Sequence, residues 1–326
     1  MTRIKNIGVF TSGGDAPGMN AAIRAVVRAG LYKGLRVFGI RHGYEGMIHG
    51  HIKEMQSHHV SDIIQRGGTI LKSVRSERFR TEEGMKEAYE QLKKFDIHGV
   101  VAIGGDGTFR GARQFTEMFD IPFVGLPGTI DNDLYGSDYT IGFDTALNTV
   151  VEAIDKIRDT ASAHNRLFFI EVMGRDAGFI ALHSGIGCGA EAILIPEEKT
   201  RLESLKSYLE DGFRRKKSSN IIIVAEGDDA GGAMEIANKV NEDFKEYSVR
   251  VTILGHIQRG GSPSAFDRFL ASRLGAAAVD ALLDDQRSIM IGQMNQKIVH
   301  VPFNKTTKHH HTVDMELLEL AEMLSI

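Results

Sequence analysis

Cysteine is almost missing from this chain: Cys188 is the only one in 326 residues, so no disulfide can form within it. A fold of this size without disulfides suits a reducing compartment, and a cytoplasmic location is expected. Proline is scarce as well, at 6 residues, which leaves no long stiff linker. Excess positive charge is lacking: Lys and Arg total 39 against 43 Asp and Glu, a net charge of -4. That balance offers no footprint for nucleic acid, so any site for phosphate must concentrate its arginines locally. No apolar stretch is long enough to cross a bilayer, no membrane partner is expected, and the opening residues run into a strand rather than a signal peptide. No internal repeat is visible. What remains is 42% hydrophobic and 25% charged, an ordinary globular balance. The length allows two domains or one large α/β unit.

Apolar runs at residues 4–10, 35–40, 98–103, 121–126, 167–172, 192–195, 221–225 and 249–254 read as strands, with further strands over 289–301. Helical periodicity predicts helices over 20–32, 82–95, 145–158, 179–184, 202–213, 233–244, 263–283 and 315–324, and a short one over 60–65 stopped by Gly67 and Gly68. Residues 43–46 read as a loop; its Tyr44 either stacks on a base or, the favoured reading, packs within the protein. Alternating strands and helices predict the fold class: α/β, two similar lobes, each a mostly parallel sheet covered by helices on both faces.

Three strands end in glycine loops: Thr11 to Gly18, Gly104 to Thr108, and Pro127 to Asp133. Backbone N–H groups at such a loop, with a helix N-terminus behind it, bind anions. The pattern is neither a P-loop nor GxGxxG. Asp106 suits Mg²⁺, which takes few carboxylates together with phosphate oxygens. Asp131 and Asp133 stand two apart, and on an extended backbone they would point the same way. One could hold metal while the other accepts a proton; the bland alternative is an Asp/Asn-rich turn.

Five strings now come together in order: TSGGDAPGMNAAIR at 11, GGDGT at 104, PGTIDND at 127, MGR at 173 and LGHIQRGGSP at 254. With them the chain resembles the bacterial-type ATP-dependent 6-phosphofructokinases over nearly its whole length. GGDGT alone also occurs in NAD and diacylglycerol kinases, but HIQRGG and PGTIDND argue against those; intact Asp131, Asp133, Asp106 and Arg75 argue against a silent nucleotide-sensing subunit. The resemblance implies transfer of phosphate from ATP to the 1-hydroxyl of fructose 6-phosphate, with Mg²⁺ as cofactor. It implies an ATP-binding lobe of residues 1–141 plus 255–305 and a sugar-phosphate lobe of 142–254 plus 306–326.

Carried over position by position, the resemblance makes Asp131 the base, Thr129 a donor to the transferring phosphoryl group, and Arg75 the cation bridging the two substrates. Asp106 and Asp133 fall around the metal. Gly14, Arg75, Ser76, Gly105, Asp106, Gly107 and Thr108 fall at the nucleotide, although Ser76 stands where the family usually has an aromatic. Thr129, Asp131, Met173, Gly174, Arg175, Glu226, His256 and Arg259 fall at the sugar phosphate. Arg166 and Arg250 are implied to reach it from a neighbouring subunit of a homotetramer. The five cations Arg166, Arg175, Arg250, His256 and Arg259 are expected at strand ends or adjoining loops.

Arg24, Arg28, Arg158, Gly189, Glu191, Arg215 and Lys217 match the family's effector site for a nucleoside diphosphate or phosphoenolpyruvate. Ser57 and Ser219 replace an arginine and a histidine of that site, so weak regulation is expected. Pyrophosphate-using relatives typically carry Asp at the position of Gly107 and Lys at that of Gly128, so ATP is the expected donor. The run His309–His311 reads as a surface loop rather than a metal site.

Overall fold

The structure is a computed structural model and describes residues 4–161, 166–200, 202–203, 205–206, 209–210, 219–242, 248–306 and 313–324. In chain order its elements are β1 (Asn6–Thr11), α1 (Met19–Tyr32), β2 (Arg36–Ile40), α2 (Gly43–Ile48), β3 (Ile52–Met55), α3 (Glu82–Lys94), β4 (Gly99–Gly104), α4 (Asp106–Met118), β5 (Phe123–Pro127), α5 (Phe143–Ala161), β6 (Arg166–Val172), α6 (Phe179–Cys188), β7 (Ala192–Leu194), β8 (Ser219–Ala225), α7 (Ala233–Asn241), β9 (Ser248–Ile253), α8 (Ala265–Leu283), β10 (Ile289–Met294), β11 (Lys297–Pro302), α9 (Phe303–Thr306) and α10 (Met315–Leu324).

Two compact units result. Unit 1 comprises Met1–Ile130, Leu134–Thr145 and Arg259–His311; unit 2 comprises Asp131–Asp133, Ala146–Gln258 and Thr312–Ile326. The chain passes between them at Ile130/Asp131, at Asp133/Leu134, within α5 at Thr145/Ala146, and at Gln258/Arg259.

Unit 1 holds a seven-stranded sheet in the order β11-β10-β5-β4-β1-β2-β3. Its inner strands are parallel, with Val9 opposite Val101 and Val101 opposite Val124. β3 and β11 run antiparallel at the two edges. Every residue of β1 and β4 is buried, as strands covered on both faces require. The one polar side chain at the start of β1, Asn6, donates to the Asp96 carbonyl at 2.8 Å and carboxylate at 2.9 Å. An aromatic core lies on one face, with the Phe109 and Phe303 rings stacked at 5.2 Å and Phe115 against Phe123 at 5.2 Å. Elsewhere in the unit α1 crosses α8 through small residues: a Cβ on Gly275 would stand 2.6 Å from Ala25 Cβ and 3.1 Å from the Ala22 carbonyl.

Unit 2 holds a four-stranded, wholly parallel sheet, β7-β8-β6-β9. Leu167, Phe169, Ile222 and Val224 pack on Ile236 and Val240 of α7 and on Leu205 and Leu209.

Two local expectations fail, and one strand went unread. Residues 43–46 open helix α2 instead of a loop. Residues 60–65 form no α-helix; only a 3₁₀ turn, Ser57–Val60, is present. Strand β3 gave no signal because Lys53 and Glu54 interrupt its four residues at a solvated edge. Half of the expected helix over 202–213 and all of the segment 243–247 lie outside the described residues.

Gly275→Val tests the α1–α8 crossing. The atoms it would meet belong to helix backbone and Cβ, which cannot swing aside. Overpacking of this kind costs about 1 to 3 kcal/mol, and urea unfolding should show a loss near the top of that range. An unchanged midpoint would mean the crossing is looser than described.

Candidate active site

β5, β4 and β1 are consecutive, parallel and open at their carboxyl ends into the three glycine loops. Such an edge is where ligands bind in open α/β sheets. The loops interlock. Ser12 N–H donates to the Ile103 carbonyl at 2.9 Å, and Gly128 N–H to the Gly104 carbonyl at 3.0 Å. A Cβ on Gly104 would fall 2.3 Å from Thr108 Oγ1 and 2.6 Å from the Ser12 carbonyl, so only glycine fits. On Gly105 it would stand 3.8 Å from Thr129 Cβ. Thr129 thus faces the Gly105 loop.

Asp106 opens α4 and is 8% exposed. One carboxylate oxygen pairs with Arg110 one turn on; the other, Oδ1, is buried and has no hydrogen-bond partner among the described residues. A buried carboxylate oxygen without a donor carries a substantial desolvation cost. A divalent cation would remove it, so this residue fits the implied metal. Among the described residues no group of three or more His, Cys, Asp or Glu gathers, and Mg²⁺ commonly needs only one or two carboxylates.

Asp131 and Asn132 are buried, and Asp133 is half-buried. Asn132 has φ 53°, the left-handed region that Asn tolerates better than most residues. The backbone between the two aspartates is therefore not extended, and the argument that they point the same way does not hold.

The loop over 127–129 is held from behind. Ile141 N–H donates to the Pro127 carbonyl at 2.8 Å and Thr140 Oγ1 to the Thr129 carbonyl at 2.7 Å. Asp267, fully buried near the start of α8, accepts from Gly142 N–H and Thr145 N–H, each at 2.8 Å, and from Thr145 Oγ1 at 2.5 Å. In return, Ser264 caps α8 by accepting from Asp267 N–H at 3.2 Å, and donates from N–H to Thr145 Oγ1 at 2.9 Å and from Oγ to Asp144 at 2.5 Å. The starts of α5 and α8 cap each other. The first glycine loop presses on the same place: a Cβ on Gly142, whose φ is 108°, would stand 2.7 Å from Ala16 Cβ. Neither Asp267 nor Thr140 was anticipated. The SPxxxDR stretch of an expected helix start was visible, but its partner lies 122 residues away.

Arg75 and Gly14 are exposed. Arg259 lies over Gly14, its Nη1 2.0 Å from where a Cβ would be. A cation expected at the sugar phosphate thus meets a glycine expected at the nucleotide. Ser76 donates to Glu45 at 2.5 Å and accepts from Phe79 N–H at 3.1 Å. Tyr44 is buried, stacked on Phe79 at 3.9 Å and donating to the Thr108 carbonyl at 2.5 Å. It is a packed ring, with no face left for a base. A Cβ on Gly107 would meet nothing, whereas one on Gly128 would meet Ile103 at 3.0 Å and Met19 at 3.1 Å. Of the two donor-linked glycines, Gly107 leaves open space, while a side chain at 128 would press on Ile103 and Met19.

In unit 2, Met173, Gly174 and Arg175 follow the carboxyl end of β6, Glu226 follows β8, and His256 lies in a 3₁₀ turn after β9. Arg175 N–H donates to Glu226 Oε1 at 2.8 Å, and Arg175 has φ 56°. Gln258, fully buried, accepts from Met173 N–H at 3.1 Å and donates to the Gly255 carbonyl at 3.0 Å. It sat unassigned in the HIQRGG string because a buried amide and a ligand-binding one look alike in sequence. Arg166 opens β6 at its amino end, and Arg250 lies inside β9 opposite Phe168. The seven residues of β6, roughly 20 Å at strand rise, separate Arg166 from Met173. The expectation that all five cations gather at strand ends or adjoining loops is corrected for Arg250.

Arg158 donates to the Cys188 carbonyl at 2.5 Å and the Gly189 carbonyl at 3.2 Å, bringing Arg158 and Gly189 together. Glu191 accepts from Ile221 N–H at 2.7 Å. Arg24 and Arg28 are one turn apart on α1; burial and then the Arg28 charge pull Arg24 down. Arg215, Lys217 and His309–His311 lie outside the described residues, and the side chain of Ser219 is not described. Burial pushes the Cys188 thiol up to about 11, which keeps it unreactive. Among the described residues no helix is long and apolar enough to cross a membrane.

Fold and loops together define an α/β protein whose neighbouring parallel strands end in interlocked glycine loops. The family described as Phosphofructokinase matches residues 6–282, and the chain belongs to it. It is 57% identical to ATP-dependent 6-phosphofructokinase 2 of Bacteroides thetaiotaomicron over 326 residues, all of both chains. It is 54% identical to ATP-dependent 6-phosphofructokinase 1 of Thermus thermophilus over 323 residues, 99% of this chain and 100% of that one. The solved phosphofructokinase of Saccharomyces cerevisiae superposes with a TM-score of 0.88 at 38% identity; the match covers 93% of this chain but 45% of the yeast one, so this chain spans under half of it. A pyrophosphate-dependent phosphofructokinase from Marinobacter aquaeolei, at 22% identity and a TM-score of 0.84, shares the fold.

Burial pushes Asp267 up to about 6 from the ordinary 3.8, against the pull of the Thr145 and Gly142 donors. The native state thus binds an extra proton between those values. The stabilisation from this group is complete below about pH 4 and lost as pH rises through 6, on the order of 3 kcal/mol. Relative to Asp267→Asn, the unmodified protein should lose that amount between pH 4 and pH 7 in urea unfolding. A difference independent of pH would refute it.

Proposed function

We infer that this chain transfers phosphate from ATP to the 1-hydroxyl of fructose 6-phosphate, giving fructose 1,6-bisphosphate, the committed step of glycolysis. The observation that carries this reading is the full-length 57% identity to an enzyme of that name. The strand-end loops and the unpartnered Asp106 oxygen support it from geometry.

Phosphoryl transfer asks for positioning and charge more than covalent chemistry. Asp131 takes the proton of the 1-hydroxyl. Thr129 donates to the phosphoryl group in transit, and Arg75 neutralises the charge that develops. Backbone amides of Gly105, Gly107 and Thr108, at the start of α4, hold the nucleotide phosphates with Gly14 and Ser76. Asp106 and Asp133 would hold Mg²⁺, which supplies charge neutralisation on the phosphate oxygens. Met173, Gly174, Arg175, His256 and Arg259 receive the sugar phosphate. Glu226 keeps its second carboxylate oxygen for a sugar hydroxyl, the first being held by Arg175 N–H. Arg166 and Arg250, set back from the carboxyl end of their sheet, serve a neighbouring subunit of a homotetramer. Arg24, Arg28, Arg158, Gly189, Glu191, Arg215 and Lys217 form an effector site for a nucleoside diphosphate or phosphoenolpyruvate. With Ser57 and Ser219 in place of a cation and a histidine, its coupling is weak. The protein works in the cytoplasm.

Purified protein assayed with fructose 6-phosphate and ATP, pyrophosphate or neither decides the reading. Turnover is expected with ATP and negligible with pyrophosphate; comparable rates would overturn the choice of donor. The open space at Gly107 predicts that Gly107→Asp folds normally and cripples ATP use more than sugar binding.

Asp131→Asn keeps the shape and removes the base. Turnover should fall on the order of 10² to 10⁴-fold, with substrate affinities little changed. Near-normal turnover would remove Asp131 from this role.

A further inference from the structure

Thr140 is fully buried, and its hydroxyl donates to the Thr129 carbonyl at 2.7 Å. Its neighbour Ile141 donates its N–H to the Pro127 carbonyl at 2.8 Å, and Ile141 bridges Gly128 in parallel register. The strip 140–141 thus lies along 127–129 through a single β-bridge. One residue on, Gly142 is fixed to Asp267, whose other oxygen holds Thr145. Asp267 is in turn anchored through Ser264 at the start of α8. A path of hydrogen bonds, continued through the backbone of residues 140–142, therefore runs from the start of a 19-residue helix to the Thr129 peptide. Thr129 itself faces the Gly105 loop, its Cβ 3.8 Å from where a Gly105 Cβ would be.

We propose that Thr140 is a positioning residue for phosphoryl transfer, holding the Thr129 peptide plane so that the Thr129 hydroxyl stays aimed at the phosphoryl group, with Asp267 as the fixed end of the strut. This rests on the phosphotransferase reading above. A side-chain bond to a carbonyl fixes the rotation of that peptide about the chain axis. Releasing it lets the Thr129 side chain swing, while the neighbouring Ile141–Pro127 bond still keeps the loop in place. A donor misplaced by about an ångström weakens transition-state contacts far more than ground-state binding. A purely structural role predicts something else: stability falls, and activity falls only as the folded fraction does.

Thr140→Val keeps the shape and removes the hydroxyl; Thr140→Ser keeps the hydroxyl and removes a methyl. With Val, kcat should fall by at least about tenfold while KM for both substrates stays within about threefold. With Ser, kcat should return to within about threefold of the unmodified enzyme. Amide exchange in peptides covering 127–133 should quicken with Val, while peptides covering 6–11 stay unchanged. Should Val at 140 not fold, Thr140→Ala against Thr140→Ser asks the same question. An unchanged kcat with Val or Ala, or a loss that Ser does not restore, would overturn the proposal. If the unmodified protein does not phosphorylate fructose 6-phosphate, the enzymatic reading fails by itself, and the exchange data alone decide whether the strut exists.

Discussion

A single buried carboxylate organises the glycine-loop end of unit 1. Asp267 gathers the N–H groups of Gly142 and Thr145 and the Thr145 hydroxyl. Each donor sits at the opening of α5, where backbone N–H groups have no partner within their own helix. The carboxylate satisfies them and also suits the positive end of the helix dipole. Because Ser264 and Thr145 return the favour to α8, the two helix starts are mutually determined. Burying a carboxylate is costly, and the upward displacement of Asp267 shows that cost. The structure tolerates it because the same bonds seat the segment that backs the Thr129 loop.

The other end of the problem is charge. With a net charge of -4, the protein cannot attract phosphate by its overall field. What the strand-end loops offer is local: a helix start behind Gly105, an arginine laid over Gly14, and a carboxylate with one oxygen unpartnered among the described residues. Arg110 shields only half of Asp106. In unit 2 the Met173–Arg175 turn is bent into left-handed backbone and secured by Glu226 and buried Gln258. Both units thus carry strand-end turns whose backbone is over-determined by buried side chains, the condition under which irregular backbone persists.

Most of the elements were legible because periodicity and glycine punctuation are local signals. The strand reading at 98–103 and the helix reading at 315–324 meet β4 and α10 closely. The misses were local conflicts. Residues 43–46 carry two glycines and read as a loop, yet Tyr44 buried against Phe79 draws them into a helix. The Asp131–Asp133 argument assumed extended backbone, and Asn132 turns left-handed. Arg250 was expected at a strand end or an adjoining loop and lies inside β9.

By itself the sequence determined the family, the alternation of strands and helices, and which residue types crowd the strand ends, because motif, spacing and hydrophobic period are all short-range properties. Only the tertiary structure decided that β5, β4 and β1 stand side by side, since strand order depends on long-range pairing. It alone distinguished Gly107, with open space around it, from Gly128, wedged against Ile103 and Met19. It alone joined Thr140 to Thr129 and Asp267 to Gly142, residues whose partnership depends on two distant helix starts meeting in one buried place. A hydrogen bond across 125 positions leaves no trace in local pattern, and its energy exists only once water has been excluded from both ends.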